Sequence, residues 1–355
     1  ARAKKVKEED VLTLSGEHGI VRQTDYFGKQ IAGKNLDRYL EIKRDDFVYN
    51  DRTTAAAKYG TIKRLNGYAG GAVSPIYKCF RFGVDENPDF WTQYFEGNVH
   101  ESALAEHIKE GARAGRFNIS VDTFLSVIVR YPQPPEQQKI ASFLTAVDKR
   151  IQLLQKKKAK LEEYKKGLMQ KLFCQEIRFK DKNGNDFPDW EVKKLGEICE
   201  KQSSNISANS LEASGGNYKI YGATGFLQFV DFYREEEPYI SIVKDGAGAG
   251  RILLCEAKSS VLGTLDILKP KGENILQFLF SIISNIRFEK YITGSTIPHI
   301  YFRDYSKEKV KIPIPLEQKE IANFLSSIEK SISTIESEIE GTTTFKKGVL
   351  QKRFV

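Results

Sequence analysis

Apolar residues recur at seven-residue spacing in two stretches of this chain, and the two stretches are copies of one another. In the first, Ile140, Val147, Leu154, Leu161 and Leu168 form one row and Leu144 and Ile151 the next. In the second, Ile321, Ile328, Ile335 and Val349 form one row and Leu325, Ile332 and Ile339 the other. Heptads sustained this long, with polar residues between, predict coiled-coil helices. Tyr131–Phe173 aligns without a gap on Ile312–Phe354 at an offset of 181, and 16 of 43 positions are identical. Each copy opens on spaced prolines (Pro132, Pro134; Pro313, Pro315) and then a Glu-Gln pair (Glu136-Gln137; Glu317-Gln318). The prolines end an extended run, and acid in a first turn suits the helix dipole. At about 1.5 Å per residue the first helix reaches roughly 55 Å, the length of a spacer.

Repetition at one offset predicts a unit of domain plus helix, present twice. The bounds that follow are 1–130 for the first globular unit, 131–175 for the first helix, 176–311 for the second unit and 312–355 for the second helix. The first helix carries Lys156, Lys157, Lys158 and Lys160, and the second carries Glu336, Glu338 and Glu340. Opposite charge beside a seam selects a partner, so the helices are expected to pair antiparallel.

Within the first unit, strands are predicted at Val11–Leu14, Tyr39–Ile42, Phe47–Tyr49, Ile76–Phe82 and Phe124–Val129, cut by turns at Asn66-Gly67 and Gly70-Gly71. Helices are predicted over Pro88–Phe95 and Val99–Gly111. In the second unit, Asp181–Asn185 reads as a turn, and strands are predicted at Tyr239–Val243, Arg251–Cys255 and Ser260–Leu268. A helix is expected at Ile275–Glu289. Phe187–Ile198 leads into the second unit but has no clean counterpart in the first, and the chain starts at Ala1. An incomplete N-terminus is therefore expected.

With 355 residues there is room for two or three domains, and a net charge of +8 points to a polyanionic partner. Cys79, Cys174, Cys199 and Cys255 show no metal or disulfide spacing, so core thiols of a cytosolic protein are expected. No apolar run is long enough for a membrane span.

Enzymatic motifs are weak. Asp189, Glu191 and Lys193 superficially resemble a nuclease signature, but one residue separates the two acids, so a turn and an edge strand with Trp190 packed inside is expected instead. Asn87-Pro88-Asp89-Phe90 resembles the amino-methyltransferase motif, with Asp89 in place of its second proline. The glycine-rich Asp245–Arg251 lies between strands, so it reads as a turn permitting close backbone approach rather than a dinucleotide loop. His100 and His107 flank Glu106 without a third ligand and are expected at the surface. Basic and aromatic residues interleave in both units: Arg44, Tyr49, Arg52, Lys58, Tyr59, Lys63 and Arg64 in one; Lys219, Tyr221, Tyr233, Arg234, Lys244, Arg251 and Arg303 in the other. Such sets neutralise phosphates and reach base edges.

The chain resembles the specificity (S) subunits of Type I restriction–modification systems. The resemblance rests on Ile140-Ala141, Phe143-Leu144 and their copies Ile321-Ala322, Phe324-Leu325. It rests also on Lys165-Lys166-Gly167 with Gln170-Lys171, and on Lys346-Lys347-Gly348 with Gln351-Lys352. The segments Trp190–Ile198 and Thr293–Ile300 are similar to that family as well, whereas Ala112–Arg116 lacks the Gly-Ser-Thr of the second exit. An α+β fold is implied, with two similar target-recognition domains, each a mixed or antiparallel sheet with few helices. Two long antiparallel coiled-coil helices separate them, with approximate twofold symmetry.

The function implied is a cytoplasmic, non-catalytic subunit that reads a split site on double-stranded DNA. Two methyltransferase subunits would dock on it, and restriction subunits would join the full complex. It would hold no cofactor itself; S-adenosylmethionine, ATP and Mg are implied only for the partners. DNA contacts are expected from Arg52, Lys58, Lys63, Arg64, Arg113 and Arg116, and from Lys244, Arg251, Ser295, Thr296, His299 and Arg303. Partner contacts are expected from Gln137, Phe143, Lys165, Lys166, Gln318, Phe324, Lys346 and Lys347. A free-standing nuclease and a coiled-coil adaptor without a DNA role are the competing readings.

Overall fold

The computed structural model describes residues 7–29, 31, 36–52, 57–107, 119–211 and 215–354. They form two compact units, Ala1–Lys156 with Glu336–Val355, and Lys157–Ile335.

The first unit contains β1 (Val11–Ser15), β2 (Gly19–Arg22), α1 (Gln23–Phe27), β3 (Leu40–Lys43), β4 (Phe47–Asn50), β5 (Thr61–Arg64), β6 (Gly70–Val73) and β7 (Lys78–Phe80). The helices α2 (Pro88–Glu96), α3 (Glu101–Ala105) and α4 (Val121–Leu125) follow, then the long α5 (Pro134–Phe173). One sheet has the order β2-β1-β6-β3, with β1 and β6 parallel, and the other is the antiparallel β5-β4-β7. Pro88 starts α2 because the Asn87 side chain accepts from Asp89 N and Phe90 N at 2.9 and 3.0 Å. This cap is the work of the Asn-Pro-Asp-Phe run. α2 buries Phe90, Trp91, Tyr94 and Phe95 against Phe47, Tyr49 and Ile62 of the second sheet. Phe82 stacks on Trp91 with ring centroids 4.0 Å apart. Truncating an anchor of this size costs about 3–5 kcal/mol.

The second unit contains β8 (Glu191–Lys194), α6 (Leu195–Ile198), β9 (Cys199–Ser203), β10 (Tyr218–Gly222), β11 (Gly225–Val230), β12 (Tyr239–Val243), β13 (Ile252–Cys255), β14 (Ser259–Val261) and β15 (Leu265–Pro270). It continues with α7 (Leu276–Ser284), α8 (Phe302–Tyr305), β16 (Lys309–Ile312) and the long α9 (Pro315–Phe354). Its sheets are the antiparallel β13-β12-β15-β9, the mixed β11-β10-β14 and the pair β16-β8. All five residues of β12 are buried, as a Tyr-Ile-Ser-Ile-Val run covered on both faces requires. The core joins Ile240, Ile242, Leu268, Phe278, Leu279 and Ile283 to Trp190, Leu195, Ile321 and Leu325.

Both long helices run for 40 residues, about 60 Å at 1.5 Å per residue. In the first unit the early turns of α5 meet the late turns of α9, through Phe143 with Phe345 and Asp148 with Lys346. In the second, the late turns of α5 meet the early turns of α9, through Lys165 with Glu329. Of the expected heptad rows, Leu144, Ile321, Leu325, Ile328 and Ile335 are buried and the other members half-buried. The architecture is the α+β one expected.

Several sequence expectations need correction. Phe124–Val129 is not a strand: Ser120 Oγ accepts from Thr123 N at 3.0 Å and starts α4, and the residues after Leu125 join no ladder. Gly70-Gly71 is no turn but part of β6, where a Cβ on Gly71 would lie 2.5 Å from Leu12 Cδ1. Ser260–Leu268 breaks into β14 and β15, with Gly263 N bonded to Ile206 O between them. The helix expected at Ile275–Glu289 stops at Ser284, and that at Val99–Gly111 is seen only as Glu101–Ala105, residues 108–111 lying outside the described residues. His100 is not at the surface but 5% exposed. Of the cysteines, Cys199 and Cys255 are buried while Cys174 is exposed.

Candidate nucleic-acid interface

In the second unit three loops converge. The glycine-rich loop between β12 and β13 is bonded to the loop before α8: Gly246 N donates to Pro298 O and Ile300 N to Lys244 O, both at 2.9 Å. The latter loop closes on itself, with Thr293 N on His299 O at 2.8 Å and His299 N on Thr293 O at 2.7 Å. His299 Nδ1 lies 2.7 Å from Asp245 Oδ1, a side-chain clasp between the two loops. Arg251 Nη1 donates to Ala223 O at 2.7 Å, bringing in the turn between β10 and β11.

Glycine makes this closeness possible. Gly250 has φ +87°, and a Cβ there would lie 2.6 Å from Phe288 Cβ. Gly294 has φ +88°, and its Cβ would lie 2.4 Å from Ile297 O. Neither backbone conformation suits an L side chain.

The result gathers four of the six expected DNA contacts of this unit on adjoining loops, and a fifth, Arg303, in the helix α8 that follows them. Arg251, Ser295, Thr296 and Arg303 are exposed, and His299 is half-buried in its clasp. Arg303 lies over the Tyr301 ring, 4.9 Å from its centroid, so the cation is pre-positioned. Lys244 is the exception. Its Nζ is 3.1 Å from Asp266 Oδ1, a buried carboxylate that also accepts from Ser203 at 2.9 Å. Its ammonium serves as counter-charge to that carboxylate. Sequence reasoning missed Tyr301, Phe226 and Phe229, which are exposed without serving the core. For Phe226 and Phe229 the signal was present in β11, Gly-Phe-Leu-Gln-Phe-Val, whose apolar residues fall on both faces.

The first unit assembles less. Arg52 and Lys58 are exposed, and Lys58 sits 5.3 Å from the Tyr59 ring centroid. Lys63 pairs with Glu96 at 3.4 Å. Arg64 is engaged: its side chain, 13% exposed, forks between Asp45 at 2.6 Å and Asp89 at 2.5 Å. Arg113 and Arg116 lie outside the described residues.

The sequence profile described as Type I restriction modification DNA specificity domain matches residues 67–163 and 188–341, and so reaches into both units. The chain belongs to this family. A Type I restriction enzyme specificity subunit of Methanocaldococcus jannaschii, MjaVIII, is 30% identical over 199 residues, 51% of this chain and 46% of that protein. A second from the same organism, the putative MjaX specificity subunit, is 29% identical over 250 residues, 62% of this chain and 57% of that one. The chain thus spans about half the length of these relatives. Among solved structures, the Type I restriction–modification S subunit from M. genitalium superposes with a TM-score of 0.60 at 15% identity, covering 92% of this chain and 87% of that one. A chain from a study of complex assembly in the type I R-M system gives 0.54 at 15% identity, covering 92% and 85%. At such identity the likeness is one of fold.

In this specificity-family chain the helix residues expected to meet partners divide sharply. Gln137 and Gln318 are 0% and 1% exposed, too buried to touch another subunit. Each instead holds its helix to its own unit. Gln137 donates to Pro132 O and Glu86, and accepts from Asn87 N at 3.1 Å. Gln318 donates to Pro313 O and Asn274, and accepts from Ile275 N at 2.9 Å. Lys165 and Lys346 are tied into the seam by their ion pairs, and Phe324 packs on Phe179 with centroids 5.6 Å apart. Phe143, Lys166 and Lys347 face solvent.

Asp189 and Glu191 both point into solvent from one short segment, and Glu191 pairs with Lys193 at 2.9 Å. Trp190 packs inside and donates to Glu317 at 3.1 Å, with β8 an outer strand as expected. No helix among the described residues is long and apolar enough to cross a membrane.

Proposed function

We propose that this chain is the non-catalytic DNA-recognition subunit of a Type I restriction–modification complex. The observation that carries the reading is the three-loop cluster of the second unit, hydrogen-bonded together and, with the start of α8, bearing Arg251, Ser295, Thr296 and Arg303 on solvent. Family membership and the net charge of +8 support it. Arginine donates a fork to guanine, and serine and threonine reach bases or phosphates. The first unit reads the other half of a bipartite site through Arg52 and Lys58.

The long helices act as the ruler between half-sites, about 10 bp or one helical turn apart. Their solvent faces, at Phe143, Lys166 and Lys347, take the methyltransferase subunits, and restriction subunits join the complete assembly. S-adenosylmethionine, ATP and Mg2+ are the business of those partners.

Binding of the full chain to a duplex carrying its target, titrated with salt, tests this. Arg251→Ala is expected to weaken binding by about 1–3 kcal/mol and relax specificity at one position. Unchanged affinity after alanine replacement of Arg251, Ser295, Thr296 and Arg303 together would remove the cluster from the interface.

A further inference from the structure

In the hairpin of β10 and β11 the register slips by one residue. Ile220 faces Gln228 and Tyr221 faces Phe226, so Leu227 is the extra residue of a bulge. By strict alternation Phe226 and Phe229 would stand on opposite faces of the strand. The bulge puts them on one: Phe229 lies opposite Lys219 and Phe226 opposite Tyr221, two residues apart on β10. Their rings meet edge to face with centroids 5.0 Å apart. Ile220 and Val230 lie on the other face, in a core with Ile206. Phe226 and Phe229 are 49% and 43% exposed, on the outermost strand of their sheet.

At its turn this hairpin joins the cluster of Arg251. Arg251 Nη1 donates to Ala223 O, and the glycine-rich loop packs on the same residue, a Cβ on Gly248 lying 3.7 Å from Ala223 O. Gly225 closes the turn at φ +114°, and Phe226 comes next. An exposed aromatic pair is thereby fixed beside the side chains offered to DNA. A two-stranded ribbon fits the major groove of B-form DNA, where the apolar group on a base edge is the C5-methyl of thymine. A phenyl ring has no hydrogen-bonding group, so in that groove it discriminates by contact with this methyl.

We propose that Phe226 and Phe229 are specificity-determining residues that read thymine, through its methyl group, beside the base pair contacted by Arg251. On the DNA-recognition reading, from which this follows, the second unit's half-site carries an A·T pair next to the position of Arg251. Continuity with the Arg251 cluster is the reason for naming duplex DNA as the occupant over a protein subunit or a second copy.

The test uses duplexes selected from a randomised pool by the full chain mixed with a Type I methyltransferase subunit. Each thymine of the selected motif is replaced in turn by deoxyuridine, which removes the methyl and keeps the base pair, and affinity is followed by anisotropy. Uracil at one or two neighbouring positions is expected to weaken binding about fourfold per methyl lost. Phe226→Ala and Phe229→Ala, together, are expected to bind the thymine and uracil duplexes equally, with the chain's thermal transition in place because both side chains are exposed. Phe226→Leu, which keeps an apolar side chain, is expected to retain the preference for thymine. A motif without thymine beside the position relaxed by Arg251→Ala overturns the proposal. So does a uracil substitution without effect, or an effect that persists in the double variant. In those three cases weakened binding by Arg251→Ala leaves the DNA-recognition reading standing, whereas a chain that selects no duplex removes both.

Discussion

Lys165 Nζ lies 2.6 Å from Glu329 Oε1, and the pair has a twin in Lys346 and Asp148, also 2.6 Å apart. Adding the repeat offset to Lys165 gives Lys346, and subtracting it from Glu329 gives Asp148. One ion pair has been written twice with its partners exchanged. This is the relation expected of two copies of a helix that pair antiparallel. The pairs are partly exposed, so each contributes modestly. Lys165→Glu is expected to lower stability by about 1 kcal/mol, and adding Glu329→Lys to restore most of it. Urea unfolding of the single and double variants checks this; equal loss in both would mean the charges do not couple.

Gln137 and Gln318 are the next repeated device. Each ties the first turn of a long helix to the proline run before it and to the helix start of its own unit. Gln318→Ala leaves a buried carbonyl and a buried amide unmet. It is expected to cost about 1–3 kcal/mol, and Gln137→Ala a similar amount. The midpoint of chemical unfolding should fall in each while the slope is retained.

His100 makes stability depend on pH. Burial among apolar groups pushes its imidazole down to about 4 from the usual 6.5. Below pH 6.5 the unfolded chain takes up a proton that the folded chain refuses, so stability falls as pH drops through this window and levels off below about 4. The full effect is on the order of 3 kcal/mol. His100→Leu should flatten the difference between pH 6.5 and pH 4.5, measured by urea unfolding at each. A variant with the same pH slope as the parent would place the titrating group elsewhere.

Gly294 holds the loop of Ser295 and Thr296 in a conformation that a side chain opposes. Gly294→Ala is expected to strain that loop by about 1–3 kcal/mol. Affinity for target DNA should fall several-fold with little change in the main thermal transition. Wild-type affinity would show that the loop need not hold this shape.

The helices were legible because a heptad repeats and a duplication can be aligned; both seams follow from Leu144, Leu325 and their neighbours. The cluster around Arg251 was legible in part, since glycines between strands signal close backbone approach. The ion pairs of Arg64 and Lys244 were not legible for one reason. A basic residue in a list of basic residues carries no sign of the acid it faces, and Asp45, Asp89 and Asp266 are brought to them only by the fold. Gln137 and Gln318 stand in the repeated stretch, and repetition alone does not separate a docking residue from a buried lock. Short strands such as Gly19–Arg22 and Thr61–Arg64 were missed because four residues give period-two alternation too little length to register.

The central claim is that one chain reads two separate DNA half-sites at a spacing fixed by its helices. Selection of bound duplexes from a randomised pool, using the chain mixed with a Type I methyltransferase subunit, is the decisive measurement. The account predicts two short, unlike motifs separated by a non-specific spacer of constant length, with centres about 10 bp apart. A single continuous motif, or two motifs whose spacing varies freely, would contradict it.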